Sequence, residues 1–438
     1  ILSVSSRGMT IGTFHSISAR ILRKEIHAIG YTNDFTIYDQ ADSKAVVKEV
    51  IKDMNLDIKQ FDPSFNQYQI SKNKNSMLSC MDIEESAIGY IDEKQAEIYS
   101  NYQKTLKNNN ALDFDDLILL PLKIFEEFPE RLAFYQNKFR YVLVDEYQDT
   151  NIPQFQLIYS LAKEHNDIFV VGDDDQSIYG WRGADVQNIL NFSNVFEEST
   201  IIKLEQNYRS TQIILSAAHS IVSLNDNRAK KELWTENQDG DKITIHSCSD
   251  ERSEANKILD VIVKHKDKYT ISDIVILYRT NIQSRPIEDM LRRNTIPYQI
   301  IGGVKFYDRK EVKDIMAYLK LIMNENDSVA FERVVNFPKR GVGKTSIGKL
   351  KAYAKENSKN LLEAIKDIDR LDIGAKQKVK LSEFLKLITD WGRAAKESPP
   401  IDIVLDVVDK IGIENYYLDV NKTPESHERW LNIEELVN

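Results

Sequence analysis

Short apolar runs that end in polar clusters are the most informative pattern in this chain. Residues Tyr141–Val144 run directly into the carboxylates of Asp145 and Glu146. An apolar run of this length predicts a short strand that is buried on both faces of a parallel sheet. Ligands of open α/β sheets bind beyond the carboxyl ends of such strands. The pattern therefore places Asp145 and Glu146 where a ligand can bind.

The same pattern recurs further along the chain. Three more apolar runs lead into polar segments, and they are Ile168–Val171, Ile201–Leu204 and Ile274–Leu277. Helical patterns lie between them, including Pro153–Lys163 and a helix that Ser210 or Thr211 caps and that reaches about Ser223. Strands that alternate with helices predict an α/β fold with a parallel, doubly wound sheet.

Helical periodicity dominates two long intervals. From about Asp39 to Ser100 the patterns are mostly helical, with a loop predicted at Lys72–Ser76, where Asn and Lys residues cluster. Beyond Gly302 the strand signal ends, and Val312–Met323 reads as an amphipathic helix. Both intervals therefore predict mainly helical domains.

Length and composition limit the classes of protein that fit. A chain of 438 residues predicts two to four domains. Its 42% hydrophobic and 29% charged residues are typical of a globular protein, and no apolar run reaches the ~20 residues of a membrane span. Cys80 and Cys248 lack metal-ligand spacing, and with no secretory leader they favour the cytoplasm. The net charge of −10 argues weakly against a protein that coats nucleic acid, but it permits a local basic track.

The polar residues after the first three runs suit phosphoryl transfer. Asp145 and Glu146 could hold Mg²⁺ and deprotonate an attacking water. Gln176 could contact a terminal phosphate, and Arg209 could neutralise charge in the transition state. Taken singly, each has an ordinary alternative: a solvated acidic loop, a turn glutamine, or an arginine paired with Glu205. Their joint occurrence in this order favours a nucleotide-hydrolysing site.

Several motifs of the chain closely resemble those of the UvrD/PcrA/Rep family of superfamily 1A DNA helicases. The segments concerned are Thr13–Ser16, Leu112–Leu117, Asp145–Asp149, Gly172–Ala184, Asn207–Ser210, Leu277–Asn281 and Gly302–Tyr307. They extend over essentially the whole chain, and their combination is specific. The resemblance implies an α/β fold of RecA-like, parallel-sheet P-loop NTPase motor domains with helical accessory domains.

The resemblance also implies a division of the chain into domains. Residues 1–20 and 111–205 would form a first motor domain, with residues 21–110 as a helical insertion. Residues 206–302 would begin a second motor domain, and residues 303–438 would form a helical accessory domain.

Two features of the family have no match in this sequence. A phosphate-binding loop ending in Gly-Lys-Thr is absent upstream of Thr13, so we expect it before Ile1. We expect the late motifs of the second motor domain, including a second arginine, after Asn438. The 438-residue chain alone is therefore expected not to hydrolyse ATP.

The resemblance implies ATP and Mg²⁺ as cofactors and assigns roles to matching positions. Asp145 would hold Mg²⁺, and Glu146 would be the catalytic base. Gln176 would contact the γ-phosphate and couple it to DNA. Arg209 would act as an arginine finger, and Tyr208 would stack on adenine.

The implied partners are single-stranded DNA and its junctions with duplex DNA. The residues that would contact the single strand are Phe14, His15, Phe114, Tyr179, Trp181, Arg182 and Tyr278. Independently of the resemblance, aromatic residues beside arginine in a loop form a stacking platform, worth ~1–3 kcal/mol per base. The alternative is that Tyr179 and Trp181 are core residues, but Gly180 and Gly183 favour an exposed loop.

The segment Gly341–Thr345 looks like a phosphate-binding loop but does not fit one. The template requires glycine where Pro338 stands, and no buried strand precedes the segment. A Gly-x-Gly turn that opens a helix beside basic residues suits a DNA backbone phosphate, and the corresponding turn of the family is similar to a duplex-DNA contact. A plain helix–helix turn with solvated lysines is the alternative. The predicted contacts are Gly341, Gly343, Lys344 and Thr345.

The leading functional hypothesis is an ATP-dependent 3′-to-5′ DNA helicase of repair or replication, with proteins of those pathways as candidate partners and no membrane association. Two alternatives stay open. One is the motor subunit of a helicase–nuclease complex, and the other is a non-catalytic DNA-binding protein on a decayed motor scaffold. The intact Asp145, Glu146, Gln176 and Arg209 argue against decay, and the lack of long insertions argues against the nuclease complex.

Overall fold

The computed structural model describes two compact units. The described residues are 8–225, 228–302, 306–420 and 423–437. The larger unit comprises Ile1–Ile201 together with Lys310–Asn438, and the smaller unit comprises Ile202–Arg309. The smaller unit contains the interval 206–302 that was assigned to a second motor domain. The finer division of the larger unit into motor and accessory domains stays a prediction.

The amino-terminal part of the larger unit consists of helices joined through two very short strands. Its helices are α1 (Phe14–Glu25), α2 (Gln40–Asp53), α3 (Pro63–Asn75), α4 (Cys80–Ser86), α5 (Tyr90–Asn108), α6 (Asp116–Glu127) and α7 (Pro129–Lys138). Strands β1 (Thr36–Ile37) and β2 (Ala111–Leu112) pair in parallel. Polar side chains cap the first four helices, as at Thr13, whose hydroxyl accepts the backbone N–H of Ser16 at 3.3 Å.

A second parallel pair of strands carries the predicted acid pair. Strands β3 (Val142–Val144) and β4 (Ile168–Val170) lie side by side, with helix α8 (Ile152–Ala162) between them in sequence. Val142 stands opposite Ile168, so the carboxyl ends of both strands lie at one edge. This arrangement brings the segments after β3 and β4 together.

The prediction that β3 is buried on both faces is wrong. Val144 packs in a core cluster with Tyr147 and Ile158, whereas Leu143 is 71% exposed and Phe169 is 60% exposed. Successive side chains of a strand point to opposite faces, so one face of this pair packs on helices and the other faces solvent.

The predicted strands Ile201–Leu204 and Ile274–Leu277 do not form within the described residues. Both segments lack ladder partners, and most of their apolar side chains are exposed. A strand is stabilised by hydrogen bonds to a neighbour, and nearby only an isolated bridge joins Gln206 to Trp234. The described part of the chain thus has two two-stranded parallel sheets in place of the expected doubly wound sheet.

Helices account for most of the remaining regular structure in the described residues. The larger unit adds short helices α9 (Gln187–Leu190) and α10 (Phe192–Val195), and the smaller unit contains α11 (Gln212–Val222), α12 (Glu251–His265) and α13 (Ser284–Arg293). The remaining helices are α14 (Lys310–Met323), α15 (Ser328–Val334), α16 (Lys344–Glu356), α17 (Leu361–Lys366), α18 (Ala375–Ala394), α19 (Pro400–Lys410), α20 (Ile413–Asn415) and α21 (Pro424–Val437). None of the helices in the described ranges is both long and apolar enough to cross a bilayer.

Two helical regions of the larger unit pack directly on each other. The buried hydroxyl of Tyr38 donates a hydrogen bond of 2.7 Å to Asp327. The amide of Asn324 donates to the hydroxyl of Thr36 and to the backbone carbonyl of Asn109. Buried polar groups require such partners, so these bonds specify how the region that precedes β2 meets the carboxyl-terminal helices.

Candidate nucleotide and DNA-binding sites

Asp145 and Glu146 leave the carboxyl end of β3 with exposed side chains. The backbone N–H of Glu146 donates to the carboxylate of Asp145 at 3.0 Å. Glu146 has a φ of +50°, in the left-handed region that non-glycine residues rarely occupy. Such conformations persist only where neighbours hold them, and here the N–H of Tyr147 is fixed by the carbonyl of Val171 at 3.0 Å. The contact between the segments after β3 and β4 therefore holds Glu146 in this strained conformation.

Gln148 is a site residue that the sequence reasoning missed. It is 1% exposed, and its amide N–H donates to the Glu146 carboxylate at 2.7 Å. Its amide oxygen accepts the backbone N–H of Asp173 at 3.0 Å. Gln148 therefore joins the segments that follow β3 and β4. Its position two residues after Glu146 in the motif was the available signal, but only the fold reveals its second partner.

Gly172 allows this close approach of the two segments. A Cβ atom at this position would lie 2.5 Å from the Gln148 amide oxygen and 2.7 Å from Cδ1 of Ile189. Any larger residue would displace one of them, so glycine is required here by space.

Gln176 lies in a turn after β4, and its side chain is exposed. Its amide N–H donates to the carboxylate of Asp173 at 2.7 Å. A continuous series of hydrogen bonds thus runs from Glu146 through Gln148 and Asp173 to Gln176. Of the predicted catalytic set, the structure places Asp145, Glu146 and Gln176 on the two adjoining strand ends.

The other predicted nucleotide contacts belong to the smaller unit. Tyr208 and Arg209 are exposed, and the Tyr208 hydroxyl donates to the Gln206 side chain at 2.6 Å. The side-chain oxygen of Asn207 accepts the N–H groups of Arg209 and Ser210, which shapes the turn before α11. Their proposed contacts to adenine and phosphate stay predictions.

The residues predicted to contact single-stranded DNA differ in exposure. Phe114 and His15 meet edge to face at 5.5 Å between ring centroids, and Phe114 is exposed. Burial lowers the pKa of His15, so this ring is neutral near pH 7. Phe14 is partly buried against the core, and Tyr278 in the smaller unit is half-buried.

Tyr179, Trp181 and Arg182 form a compact exposed group. The Arg182 guanidinium lies 4.5 Å from the Trp181 ring centroid and 5.0 Å from that of Tyr179. Trp181 is 67% exposed, which excludes the alternative of ordinary core packing for this ring. A cation beside open aromatic faces can hold a nucleic-acid strand by stacking and charge.

The turn Gly341–Thr345 begins helix α16 and is preceded by a helix, α15. Gly341 has a φ of +77°, which glycine adopts without strain. Arg340, which flanks the turn in sequence, points inward and donates to the carbonyls of Val334 at 2.8 Å and Phe337 at 2.9 Å. The predicted contacts Gly341, Gly343, Lys344 and Thr345 are exposed, as is the flanking Lys339, so they remain available to a phosphate.

One recognised motif lies partly outside the described residues. Positions 303–305 of Gly302–Tyr307 are not described, and the predicted boundary between residues 302 and 303 adjoins them.

Comparison with known proteins identifies relatives along nearly the whole chain. Residues 2–197 match the UvrD/REP helicase N-terminal domain, and residues 202–370 match the UvrD-like helicase C-terminal domain. The ATP-dependent DNA helicase PcrA of Staphylococcus epidermidis is 42% identical over 431 residues, which cover 98% of this chain and 59% of the relative. The PcrA helicase of Staphylococcus aureus is 43% identical with the same coverage. The chain thus spans 59% of the length of these relatives.

Proposed function

Because this chain belongs to the UvrD/REP helicase family, we propose that it acts as an ATP-dependent DNA helicase. ATP hydrolysis would drive 3′-to-5′ movement on single-stranded DNA and separate the duplex at its junction with the single strand. The related proteins are named ATP-dependent DNA helicases, which supports the same activity. We further propose RecA-like motor domains and the four-part division given above.

One observation carries this proposal. The segment after β4 holds Gln176, which hydrogen bonds tie to Glu146 through Asp173 and Gln148. Three residues later the same segment presents Tyr179, and then Trp181 with Arg182. A displacement of Gln176 on hydrolysis would therefore move these rings and, with them, a strand of DNA stacked on them.

The residues at the ends of β3 and β4 fit Mg²⁺ and ATP. Asp145 offers an exposed carboxylate, the hard oxygen ligand that Mg²⁺ prefers. Bound Mg·ATP would supply the phosphoryl group and the counter-charge. Glu146, with one oxygen held by Gln148, would accept the proton of the attacking water through its carboxylate. Gln176 would hydrogen-bond the terminal phosphate, and Arg209 would neutralise charge that develops on it.

The Glu146→Gln substitution in the full-length protein tests this assignment. The amide cannot accept a proton, so DNA-stimulated ATP hydrolysis and strand displacement should fall about 10²–10⁴-fold. Binding of a thymidine oligonucleotide should persist, measured by fluorescence anisotropy. The control is Glu164→Gln, an exposed residue after α8 that should leave both activities unchanged.

The same assay distinguishes a working motor from a decayed motor scaffold. Unwinding that survives Glu146→Gln would refute the assigned base. A wild-type protein that binds single-stranded DNA but hydrolyses no ATP would support a decayed motor scaffold instead.

A further inference from the structure

The carboxyl-terminal end of helix α3 buries a charged residue, Lys74. This side chain is 1% exposed, and its ammonium lies 2.6 Å from the carboxylate of Asp113 and 2.7 Å from that of Asp116. Burial alone would lower the pKa of Lys74, but the two carboxylates outweigh it and hold the pKa well above its ordinary value. A buried charge is tolerated only when it is paired in this way.

The two carboxylates flank Phe114, the exposed aromatic of the predicted DNA track. Asp113 also accepts the Tyr102 hydroxyl at 2.8 Å and the backbone N–H of Asp116 at 2.8 Å. The turn that presents Phe114 is therefore clamped on both sides by buried bonds. The Lys74 side chain is buried, so it can affect the position of Phe114 only through its bonds to Asp113 and Asp116.

Asn75, the last residue of α3, contacts three segments at once. Its amide N–H donates to Asp115 at 3.0 Å, and its amide oxygen accepts the side-chain N–H of Asn151 at 2.5 Å. It also lies beside Gly183, where an added Cβ would meet the Cβ atom of Asn75 at 3.5 Å, an ordinary packing distance.

Each of these segments leads to a predicted functional residue. Asp115 follows Phe114, and Gly183 follows Trp181 and Arg182. Asn151 caps helix α8 and ends the segment that begins with Asp145 and Glu146. The segment that contains Gly183 and the segment that contains Asn151 are also joined to each other, because the Asp185 N–H donates to the Thr150 carbonyl at 2.9 Å.

We propose that Asn75 is a positioning residue that couples DNA stacked on Phe114 and Trp181 to the segment that carries Glu146 and Gln148. The inference rests on the proposed function. Asparagine suits this place because its amide donates to a carboxylate and accepts from another amide simultaneously. Aspartate could accept from Asn151 but would face Asp115 with a second negative charge.

Hydrogen–deuterium exchange on the 438-residue chain tests the coupling, with a thymidine oligonucleotide as the probe. In the wild type, DNA should slow exchange in the Phe114 turn and also at the amides of Tyr147, Asp149 and Thr150. In Asn75→Ala, protection of the Phe114 turn should stay within about twofold, while protection of the other amides should fall about fivefold, the effect of losing one hydrogen bond.

The control removes an asparagine that bonds only locally in sequence. Asn137 donates to the Ala133 carbonyl of its own helix, so Asn137→Ala should leave both protection patterns unchanged. Asn75→Ser keeps a short polar side chain and must show the same selective loss if Asn75→Ala does not fold.

Three outcomes would overturn the coupling. In the first, DNA protects only the Phe114 turn of the wild type from exchange. In the second, Asn75→Ala leaves the protection of Tyr147–Thr150 unchanged. In the third, Asn75→Ala lowers protection equally at both segments, which would make Asn75 a general stabiliser. Failure of the wild type to bind the oligonucleotide would instead refute the proposed function, which keeps the two failures distinct.

Discussion

Asp116 is a buried carboxyl group with a strongly raised pKa. Burial, together with the neighbouring charge of Asp113, raises the pKa of Asp116 to about 7, despite Lys74 at 2.7 Å. Burial would also raise the pKa of Asp113, but Lys74 outweighs it, so the pKa of Asp113 lies below its ordinary value.

The Asp116→Asn substitution should change how stability depends on pH. Between the ordinary pKa of about 4 and the folded pKa of about 7, the native protein binds more protons than the unfolded chain, so stability falls as pH rises. This stabilisation is complete below about pH 4 and is lost above about pH 7. From about pH 5 to about pH 8, the wild type should lose about 2 kcal/mol relative to the variant in urea unfolding. Parallel profiles would contradict the assignment.

Gly172 permits a contact that no other residue could. Gly172→Ala should lower the free energy of unfolding by about 1–3 kcal/mol, because its Cβ would overlap the Gln148 amide and Ile189. Displacing Gln148 should also release Glu146, so DNA-stimulated ATP hydrolysis by the full-length protein should fall.

The matched control for that change is Gly348→Ala in helix α16. A Cβ there meets nothing within 4 Å, and alanine favours a helix over glycine by about 1 kcal/mol. In chemical denaturation, Gly172→Ala should lower the free energy of unfolding and Gly348→Ala should raise it. Equal free energies of unfolding for the two variants would contradict the packing argument.

Single elements follow their local signals where those signals are strong. The predicted helices Pro153–Lys163 and Val312–Met323 are confirmed as α8 and α14 within two residues at each end. Thr211 occupies the N-cap position of α11, one of the two predicted positions, although its side chain makes no capping hydrogen bond. Asn151 caps α8 through its side chain, and the three helices carry apolar faces, which are local properties of the sequence.

The predicted loop at Lys72–Ser76 is wrong, because α3 continues through Asn75. Lys favours a helix and Asn disfavours one, so propensity alone was ambiguous here and tertiary partners decided the outcome. Lys74 is pulled inward by Asp113 and Asp116, and Asn75 by Asp115 and Asn151. Asp113 accepts the backbone N–H of Asp116, where α6 begins, and also pairs with Lys74.

The segment after β4 should bind DNA mainly through Trp181. Trp181→Ala should weaken binding of a thymidine oligonucleotide by about 1–3 kcal/mol, because an exposed stacking surface is removed. Fluorescence anisotropy at low salt measures the dissociation constant. Tyr68→Ala on α3 is the control, since Tyr68 is exposed but outside the predicted track. Equal weakening by both substitutions would indicate non-specific contact.

Across the larger unit, one face of α2 pairs with the carboxyl-terminal helices through acid–lysine contacts. The ion pairs are Asp39–Lys313, Asp42–Lys320, Glu49–Lys351 and Asp53–Lys355. Lys351 also pairs with Glu332, whose pKa burial raises. The contribution of each pair depends on how far it is removed from water.

Lys351 and Lys355 therefore make a matched comparison on one helix. Lys351→Met removes the ammonium that pairs with both Glu49 and Glu332, and it should lower the free energy of unfolding by about 1–3 kcal/mol. Lys355 is 71% exposed along its side chain, so Lys355→Met should cost less than about 1 kcal/mol. Guanidinium screens ion pairs, so urea unfolding is the suitable measurement, and equal losses would contradict the burial argument.

The sequence by itself predicted most residues of the candidate site, although it missed Gln148. Asp145, Glu146 and Gln176 follow apolar runs, and Trp181 and Arg182 are adjacent in the chain, so local order was enough to single them out. The family resemblance and the approximate starts of α8, α11 and α14 follow from the same short-range information.

Only the tertiary structure decided exposure and connection. Lys74 and Asp113 are 39 positions apart, and Gln148 meets Asp173 across 25 positions, so no local pattern encodes either contact. Leu143 and Phe169 looked buried because apolar runs specify a strand but not what covers it. Local sequence specifies a residue's chemistry and its backbone preference, whereas burial and partnership depend on which distant segments the fold brings beside it.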